Sequence, residues 1–408
     1  MKILVVCQYY HPEPFRIHEV CEELVVRGHE VTVLTGLPNY PMGVIPEEYK
    51  GKKHRDEKVN GVHVIRVRER PRTPGKVGLA LNYVSFVWHA SIKALSVKKD
   101  FDAIFVYQLS PVLMAIPAYV AKWFGGPKHM ALYCLDLWPA SLASLGISEK
   151  SLFYRMMRSV SVRLYRGADV IGYTSRMFED YFTERLALGS RKYMHIPQFA
   201  DDLFSGICAD GANADAPGDA EDTGHINYVF AGNVGMMQSV DTIIKAAALA
   251  KDERIRWHIV GDGFALESCK KLCDDMKLGD KVTFYGRLPV EEMPRFYNMA
   301  DAMIVTLSDD ELISYTLPGK IQSYMAAGRA VIAAANGETP KVIEESGCGL
   351  CAPAGDERAL ADIADRMAAE GDFVRMGEAS RSYYDTHFTK KRHVDLIEKM
   401  LADCTGQG

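Results

Sequence analysis

The sequence lacks both a long hydrophobic run and a disulfide-type cysteine pattern. Nowhere in its 408 residues is there an uninterrupted apolar run of roughly 18 residues, the length that a membrane-spanning helix needs. The apolar run after Met1 ends at Cys7, which is too short for a secretory signal peptide, and no small-residue cleavage site follows it. Nine cysteines, an odd number in a long chain, fit reduced thiols better than a disulfide framework. We therefore expect a cytoplasmic protein.

A strong overall charge is also missing, but the charge is unevenly distributed. The formal net charge is -5, which argues against a general nucleic-acid binder, and we expect no nucleic-acid partner. Between Lys50 and Lys76 there are ten Lys and Arg residues and three acidic residues, so this segment carries +7 and the rest of the chain -12. The mean charge therefore conceals one strongly basic segment.

Several motifs of cofactor and metal chemistry are absent. The end of the first predicted strand has no G-x-G-x-x-G, so we expect no dinucleotide cofactor there, and no G-x-S-x-G marks a serine nucleophile. Cys348 and Cys351 have C-x-x-C spacing, but a zinc site needs a second ligand pair, and Cys269 and Cys273 lie in a predicted helix. We expect these thiols to pack in the interior, and we predict no metal and no cofactor.

What the sequence does contain is an alternation of short β-rich runs and helical patterns from end to end. Such alternation predicts βαβ units with a parallel sheet covered on both faces. Segment 205–224, rich in Gly, Ala and Asp, interrupts the alternation and is typical of a linker. We predict an α/β protein with two Rossmann-like domains, 1–204 and 225–375, and a helical tail, 376–408, that packs toward the first domain. Ligands of open parallel sheets bind at the carboxyl ends of strands, so we expect both domains to face one cleft.

In the second predicted domain, three strands end in glycine. The three exits are Ala231-Gly232-Asn233-Val234-Gly235, Val260-Gly261-Asp262-Gly263 and Tyr285-Gly286-Arg287-Leu288. Glycine lets the backbone approach a phosphate closely, and a following helix offers free N–H groups and the positive end of its dipole. A tight strand-to-helix turn uses glycine without any ligand, so each exit taken singly leaves both interpretations open.

A lysine lies at the start of another predicted helix in the same domain. The run Thr316-Leu317-Pro318-Gly319-Lys320 places Pro318 in the first turn and Lys320 near the helix N-terminus. A cation is unfavourable at that end of a helix unless an anion is bound. A phosphate ligand and a solvated surface lysine are the two alternatives. The glycine turn at 232–235 favours the first, because it offers a second contact to the same phosphates.

Together these motifs resemble the donor half of retaining glycosyltransferases of family 4, which have the GT-B fold of two Rossmann-like domains. The similarity continues through Lys320 to Gly328, Asn336 to Pro340, and Gly355-Asp356. In the first domain, the matching segments are Tyr9 to Pro14, Arg27 to Thr35, and Leu135-Asp136-Leu137-Trp138-Pro139. The last of these is similar to the branch that builds surface polysaccharides such as capsule and O-antigen. The resemblance implies transfer of an N-acetylated or deoxy-amino sugar from a nucleoside diphosphate, with UDP expected, to a lipid-linked or polysaccharide-precursor acceptor.

The resemblance also implies a set of donor-binding residues, and the sequence departs from the family at some of the usual positions. Many members carry two Glu separated by seven residues, whereas Tyr315 and Ser323 occupy those places here. The Arg and Lys that often follow the glycine-rich turn are absent, which makes Lys320 the main predicted cation for the diphosphate. The predicted donor-binding residues are Gly232, Asn233, Gly235, Gly261, Gly263, Arg287, Leu288, Thr316, Gly319 and Ser323.

The first domain is implied to bind the acceptor. Tyr10, His11 and Arg16 lie on the exit loop of the first strand and in the first helix turn, where ordinary loop polarity is the alternative interpretation. Asp136 follows a predicted strand; its carboxylate could take the proton of the acceptor hydroxyl, orient the acceptor, or cap a helix. We predict Asp136 and Lys320 as the catalytic residues. Retaining enzymes of this type are expected to react on the front face without a protein nucleophile, so the donor phosphate itself could receive the proton.

Segment 50–95 combines the basic run with an unusually apolar helix. Val77 to Leu95 has thirteen apolar residues in nineteen, interrupted by Asn82, His89 and Lys93. A basic strand beside an apolar, aromatic helix predicts an anchor on an anionic membrane surface, which would place the enzyme peripherally on the inner face of the cell membrane. The alternative is a helix buried against the sheet with a solvated basic face.

Two other functions stay open at this level. A nucleotide-sugar 2-epimerase of the same architecture would need an acid–base set acting on the donor sugar itself. A binding subunit without activity is the other, because the usual Glu pair is missing.

Overall fold

The computed structural model describes residues 1–97, 100–124, 126–143, 146–205, 207 and 224–406, so nearly all of the predicted linker 205–224 lies outside the described residues. The chain divides into two compact units. Unit 1 comprises Met1–Ile196 and Val394–Gly408, and unit 2 comprises Pro197–His393. The divisions therefore fall at 196, before the boundary predicted at 204, and at 393, within the predicted tail.

Unit 1 is built around an eight-stranded sheet. Its strands are β1 (Lys2–Val6), β2 (Glu30–Thr35), β3 (Asp56–Val59), β4 (Val62–Arg66), β5 (Ala103–Gln108), β6 (His129–Cys134), β7 (Val170–Tyr173) and β8 (Lys192–His195). The strand order is β3-β4-β2-β1-β5-β6-β7-β8. The connecting helices are α1 (Ile17–Val26), α2 (Lys76–Ala94), α3 (Ile116–Trp123), α4 (Leu152–Gly167) and α5 (Met177–Asp180). Every strand pair but one is parallel, as the alternation predicts.

The exception is the hairpin of β3 and β4, which is antiparallel. β3 was not predictable from an apolar pattern, because its residues are mostly charged and form no apolar run. A local signal was present all the same. Asn60 and Gly61 connect the strands with φ values of 49° and 85°, the left-handed conformation that an Asn-Gly hairpin turn requires.

Unit 2 contains a six-stranded parallel sheet in its own right. Its helices begin with α6 (Asp202–Ser205), and its strands are β9 (Ile226–Ala231), β10 (Ile255–Val260), β11 (Val282–Gly286), β12 (Ala302–Thr306), β13 (Ala330–Ala334) and β14 (Gly349–Ala352). The strand order is β11-β10-β9-β12-β13-β14. The helices are α7 (Val240–Leu249), α8 (Leu266–Asp275), α9 (Met293–Met299), α10 (Glu311–Ser314), α11 (Gly319–Ala326), α12 (Glu338–Ser346), α13 (Glu357–Glu370), α14 (Phe373–His387) and α15 (Lys390–Thr405), the last of which continues into unit 1.

The strand orders place one crevice in each unit. β1 pairs with β2 on one side and β5 on the other, and β9 pairs in the same way with β10 and β12. These are the points where the strand order reverses, and ligands of open parallel sheets bind outside the carboxyl ends of the strands there. Strands such as β5 and β13 are buried along their whole length, which explains why they are continuous apolar runs in the sequence.

The end of α15 packs on unit 1. Val394, Ile397, Met400 and Leu401 are fully buried. Arg27, which follows α1, forms ion pairs with the carboxylates of Asp395 and Glu398 on α15, at 2.6 and 2.5 Å. Among the helices of the described residues, none is both long enough and apolar enough to cross a bilayer.

Candidate functional site

The three glycine exits of unit 2 lie side by side at one edge of the sheet. They follow β9, β10 and β11, which are neighbours, and backbone hydrogen bonds join them in series. The N–H of Gly232 donates to the carbonyl of Val260 at 2.9 Å, and the N–H of Gly261 donates to the carbonyl of Gly286 at 2.8 Å. The exits predicted from sequence therefore form one continuous backbone surface.

Close backbone packing accounts for the glycines between these exits. A Cβ on Gly261 would lie 1.8 Å from the carbonyl oxygen of Gly232, and Gly261 has a φ of 144°. A Cβ on Gly263 would lie 2.5 Å from the carbonyl oxygen of Val234. Any side chain at these positions would push the exits of β9 and β10 apart. Gly261 and Gly263 are thus required by the fold, whether or not they also contact a ligand.

Lys320 comes to this surface from α11. Its Nζ lies 3.8 Å from the centre of the Phe230 ring, at the end of β9, and a Cβ on Gly232 would be 3.2 Å from that nitrogen. One helical turn further on, the Tyr324 hydroxyl bonds to the backbone of Ala231, accepting from its N–H at 3.1 Å and donating to its carbonyl at 3.0 Å. Tyr324 therefore fixes the helix that carries Lys320 against the end of β9.

The Lys320 ammonium has no counter-charge among the residues that the structure describes. Its Nζ is buried and forms no hydrogen bond with any described residue. Burial lowers the pKa of Lys320 to about 7, and no neighbouring carboxylate opposes that shift. A buried amine without a partner is unfavourable, and an arriving anion would supply what it lacks. This geometry removes the alternative of a solvated surface lysine.

The turn after β9 leads into α7 and leaves the start of that helix uncapped. Asn233 Nδ2 donates to Gln238 Oε1 at 3.0 Å, and Thr306 Oγ1 donates to the backbone carbonyl of Gln238 at 2.6 Å. Ser239, at the N-cap, is left-handed with a φ of 44° and makes no side-chain cap bond. The N–H of Thr242 donates to the Ser239 carbonyl at 3.1 Å, but the Ser239 side chain offers no partner to the first N–H groups of α7, which suits a helix end that receives an anion.

The other predicted donor-binding residues make fewer contacts that bear on ligand binding. Leu288 packs against the core of unit 2, and Thr316, Gly319 and Ser323 lie on the loop before α11 and on α11 itself. Arg287 is exposed and forms no hydrogen bond or ion pair with other described residues. The structure thus brings Gly232, Asn233, Gly235, Gly261, Gly263 and Lys320 together, and shows no contact that joins Arg287 to them.

One carboxylate near this edge was overlooked in the sequence. Glu338 is buried at the first position of α12. A Cβ on the preceding residue, Gly337, would lie 1.9 Å from the carbonyl of Ser314, so the start of α12 lies against the loop that carries Tyr315. Tyr315 occupies one of the positions where many family members have Glu. The only signal in the sequence was that Asn336 to Pro340 continued the family match.

In unit 1, Asp136 lies two residues beyond β6. Its Oδ2 accepts the backbone N–H of Ser110 at 3.0 Å, and Trp138 Nε1 donates to Ser110 Oγ at 2.8 Å. The short helical turn that follows begins after Pro139, so Asp136 is not its cap. Burial raises the pKa of Asp136, while the bonds from Ser110 oppose the rise. The helix-cap interpretation is therefore wrong, and the carboxylate instead joins the exit of β5 to that of β6.

The three predicted acceptor-binding residues lie in different environments. Tyr10 is 2% exposed, and the pKa of its hydroxyl is raised by burial and by the neighbouring Cys21 and Cys7 thiols. The Tyr10 ring therefore packs in the core of unit 1, and its role in acceptor binding stays a prediction. His11 is half-buried, and burial lowers its pKa, helped by His18. Arg16 pairs with Glu19 at 3.0 Å at the start of α1.

Two buried carboxyl groups at the same end of the unit 1 sheet were also missed. Glu13 accepts backbone N–H groups of Asn39 at 2.8 Å and Tyr40 at 2.7 Å, and burial raises its pKa to about 7. Glu69 accepts from Gln8 Nε2 at 2.7 Å, and burial raises its pKa well above the usual range. The sequence signal was an acidic residue, Glu69, within the basic segment. Glu13 ties the exit loops of β1 and β2 together.

Helix α2 presents two contrasting faces. Asn82, Phe86, Ala90 and Ala94 are buried against unit 1. The opposite stripe is apolar and exposed, with Val77 73%, Val84 60%, Trp88 66% and Ile92 54% accessible. Exposed apolar patches of this kind mark interaction surfaces. The helix is therefore neither fully buried nor ordinarily solvated.

One of the cysteines belongs to a group of three side chains with metal-ligating atoms. All described cysteines are free thiols, and Cys348 is buried, as is Cys269. His129, Asp169 and Cys404 have ligand atoms within 4.8 Å of one another, a grouping that the sequence did not reveal. Asp169 is already paired with Lys122 Nζ at 2.9 Å, which competes with a cation at that place.

Two family models match the chain, one in each unit. A model described as "Glycosyl transferase 4-like domain" matches residues 15–197, and one described as "Glycosyl transferases group 1" matches residues 225–370. Together they cover both Rossmann-like units. The chain is also 26% identical over 335 residues to the probable glycosyltransferase WbjE of Pseudomonas aeruginosa, covering 80% of this chain and 81% of the relative.

Further relatives and solved structures agree. Over 346 residues the chain is 24% identical to the putative colanic acid biosynthesis glycosyl transferase WcaI of Escherichia coli K12, covering 82% and 83% of the two chains. The sucrose-phosphate synthase of Thermosynechococcus elongatus superposes with a TM-score of 0.77 over 100% of both chains at 17% identity. Anabaena HepE in complex with UDP superposes with a TM-score of 0.72 at 15% identity, covering 99% and 100% of the chains. Matching models in both units, together with these neighbours, assign the chain to the group 1, family 4 glycosyltransferases, with the GT-B fold of two Rossmann-like domains.

Proposed function

We propose that this enzyme transfers a sugar, with retention of anomeric configuration, from a UDP-linked donor to a lipid-linked or saccharide precursor of a surface polysaccharide. The observation that carries the proposal is the buried, unpaired Lys320 ammonium beside the three glycine exits. The names of several relatives, which refer to colanic acid, amylovoran and teichuronic acid biosynthesis, support the polysaccharide assignment. An N-acetylated or deoxy-amino sugar is the expected group transferred.

Lys320 would act on the leaving diphosphate. When the donor binds, a phosphate oxygen takes the place beside Nζ that no protein group fills, and the amine becomes fully cationic. As the bond between the sugar and the phosphate breaks, negative charge grows on the diphosphate, and a fixed ammonium in a buried site stabilises it. The lysine thus contributes more to the transition state than to the ground state.

The backbone surface would supply the remaining phosphate contacts. Gly232 and Gly235 allow close approach, and the uncapped start of α7 directs N–H groups and the positive dipole end toward an anion. Asn233 is held by Gln238 at the rim of this turn. These neutral donors would replace the Arg and Lys that many family members place after the glycine turn.

Glu338 would supply the carboxylate that the missing Glu pair does not. It is buried at the first position of α12, next to the loop that carries Tyr315. A carboxylate there can accept hydrogen bonds from ribose hydroxyls. Ser323 offers a hydroxyl for the same purpose from α11.

On the acceptor side, Asp136 is the proposed catalytic carboxylate of unit 1. The Ser110 backbone fixes its orientation, and the raised pKa makes it a better proton acceptor than an ordinary aspartate. If the donor phosphate receives the proton, Asp136 orients the acceptor hydroxyl instead. His11 and Arg16, on the exit loop of β1 and the start of α1, are proposed to line the acceptor site.

We further propose that segment 50–95 rests on the anionic inner face of the cell membrane. The exposed apolar stripe on α2 and the basic residues that flank the neighbouring β3–β4 hairpin support this, because they combine the two attractions that hold interfacial helices. Such a position would bring the enzyme to a lipid-linked acceptor.

The test is a panel of UDP-sugars incubated with the enzyme and followed by proton NMR without acceptor. Slow release of UDP with the free sugar appearing first in the donor's own anomeric form supports retaining transfer. Inversion of that form contradicts the mechanism, and formation of a 2-epimer would identify an epimerase. In the same assay Lys320→Ala should slow the release of UDP strongly, and Lys341→Ala, which removes an exposed lysine of the same unit, is the matched control.

A further inference from the structure

A basic groove lies in unit 1 between the β3–β4 hairpin and α2. It encloses about 340 Å³. Arg55 and Arg68 line it from the hairpin and the chain that follows it, and His89 and Lys93 line it from α2. The lining residues come from the β3–β4 hairpin, from the chain that follows β4 and from one face of α2, and none of them is a residue proposed for glycosyl transfer.

The acidic residues in and beside the groove already form hydrogen bonds or ion pairs with other side chains. Asp56, the one acid in the lining, pairs with His63 at 2.7 Å. Glu57 pairs with the buried guanidinium of Arg66 and accepts from His54. Both carboxylates therefore bond to side chains other than Arg55, Arg68 and Lys93.

Of the cationic residues that line the groove, Arg66 has this partner in Glu57, whereas three others have none among the described residues. Within the described part of the chain, Arg55, Arg68 and Lys93 form no ion pair. Arg55 is half-buried, and its pKa is lowered first by burial and then by the charge of Arg68. The half-buried guanidinium of Arg55 and the exposed one of Arg68 therefore line the same groove, and neither has a counter-ion among the described residues. Repulsion between such unpaired cations lowers the stability of the fold, and a bound anion would offset it.

The groove is continuous with the apolar stripe of α2. Ile92 belongs to both, because it lines the groove and is 54% exposed on the stripe. His89 and Lys93 lie three residues before and one residue after Ile92 on the same helix. His89 Nδ1 donates to the carbonyl of Ser85 at 2.7 Å, which fixes the ring beside the groove. A ligand seated here would have an anionic end among the cations and an apolar part along the stripe.

On the assumption that the proposed membrane association holds, we infer that this groove binds the phosphate of an individual anionic phospholipid. Arginine forks match phosphate oxygens in paired hydrogen bonds, and a lysine adds a point charge. The lipid chains would then run beside Ile92, Trp88 and Val84 into the bilayer. The basic segment would thus bind one lipid headgroup at a defined position, in addition to its general electrostatic attraction to the membrane surface.

The experiment measures co-sedimentation of the full-length protein with phosphatidylcholine vesicles that contain increasing phosphatidylglycerol. The groove variant is Arg55→Gln with Arg68→Gln. The matched control removes the same charge from exposed positions of the same hairpin region, Lys53→Gln with Lys58→Gln. A second pair of variants, Arg68→Glu in the groove and Lys53→Glu as its control, changes only exposed positions. This pair makes the same comparison if Arg55 is needed for folding. Thermal unfolding and UDP binding are measured on each variant.

The groove site predicts a loss of vesicle affinity at least about ten-fold greater in the groove variant than in the control. Equal losses would overturn the groove and leave a diffuse electrostatic attraction. Displacement of the protein from vesicles by millimolar inorganic phosphate, at constant ionic strength, would identify a soluble phosphate as the ligand and overturn the lipid assignment. If the wild type binds no vesicles at all, the membrane proposal fails, while the UDP-sugar assay still judges the transfer chemistry separately.

Discussion

At the scale of single residues, the central feature is a lysine in an unfavourable place. Lys320 was found from its position at a helix start, because a cation there signals an anion. Its burial and its contact with the Phe230 ring were not predictable, since they depend on how α11 packs on β9.

Tyr10 shows the opposite case. A polar aromatic on an exit loop looked like a ligand contact, but its side chain turned into the core. Sequence spacing places a residue on a loop and does not decide which way it turns.

The ligand-free protein should gain stability when Lys320 is replaced by a residue of similar shape without charge. Lys320→Met removes a buried, unpaired amine and keeps the packing against Phe230, so we expect the melting temperature at pH 7 to rise by a few degrees, about 1 kcal/mol or more. The gain should shrink as pH rises toward 10.5, the ordinary pKa of lysine, and vanish above it, because the amine is then neutral in both the folded and unfolded states. A melting temperature that falls would show that Lys320 has a structural partner.

The affinity for UDP should depend on pH through the same amine. The free protein has a Lys320 pKa of about 7, and a bound diphosphate raises it, so binding above pH 7 takes up a proton. We expect affinity to fall between pH 7.5 and 9, by up to about ten-fold per pH unit. Calorimetric titration across this range measures it, and Lys320→Ala serves as the control that should lose the dependence. A flat profile in the wild type would contradict the lowered pKa.

At the scale of elements, the three glycine exits were correctly recognised, but their joint arrangement was not. Each exit alone was ambiguous in the sequence. The strand order β11-β10-β9 sets them side by side, and that order follows from tertiary packing. The β3 strand was missed because a charged edge strand has no apolar pattern.

Gly261 offers a direct test of this shared surface. In Gly261→Ala the new Cβ would meet the Gly232 carbonyl at 1.8 Å, at a φ of 144°, so we expect a loss of about 1–3 kcal/mol in stability. UDP binding should weaken as well, because the exit of β9 must shift. Urea denaturation and UDP titration measure both effects. Gly279→Ala, where a Cβ meets nothing within 4 Å, is the control and should change neither; equal losses in the two variants would refute the packing argument.

Helix α2 can be followed by its own fluorescence. Of the four tryptophans, Trp88 and Trp123 are 66% and 73% exposed, while Trp138 and Trp257 are buried. If the stripe enters a membrane, anionic vesicles should shift the emission to shorter wavelength, and Trp88→Ala with Ile92→Ser should lower vesicle affinity several-fold. Val374→Ser, on an exposed apolar residue of unit 2, is the control. Emission that stays unchanged at saturating vesicle concentrations would contradict the membrane proposal.

At the scale of the whole molecule, the sequence allowed the fold class and the family to be predicted, because alternating strands and helices and the motif set span both units. The unit divisions were less predictable. The chain leaves unit 2 within α15, whose apolar face continues without a break across residue 393, so nothing in the pattern marks the change. Substrate identity depends on side chains of loops, where periodicity carries no information.

The most direct measurement of the account is calorimetric titration of UDP at pH 7.5 into the wild type, Lys320→Ala and Lys341→Ala. If Lys320 holds the diphosphate, its removal should weaken binding by about ten- to one-hundred-fold, the value of a hydrogen bond to a charged group. The control should match the wild type. Equal UDP affinity in all three proteins would contradict the assignment of Lys320 and, with it, the proposed donor site.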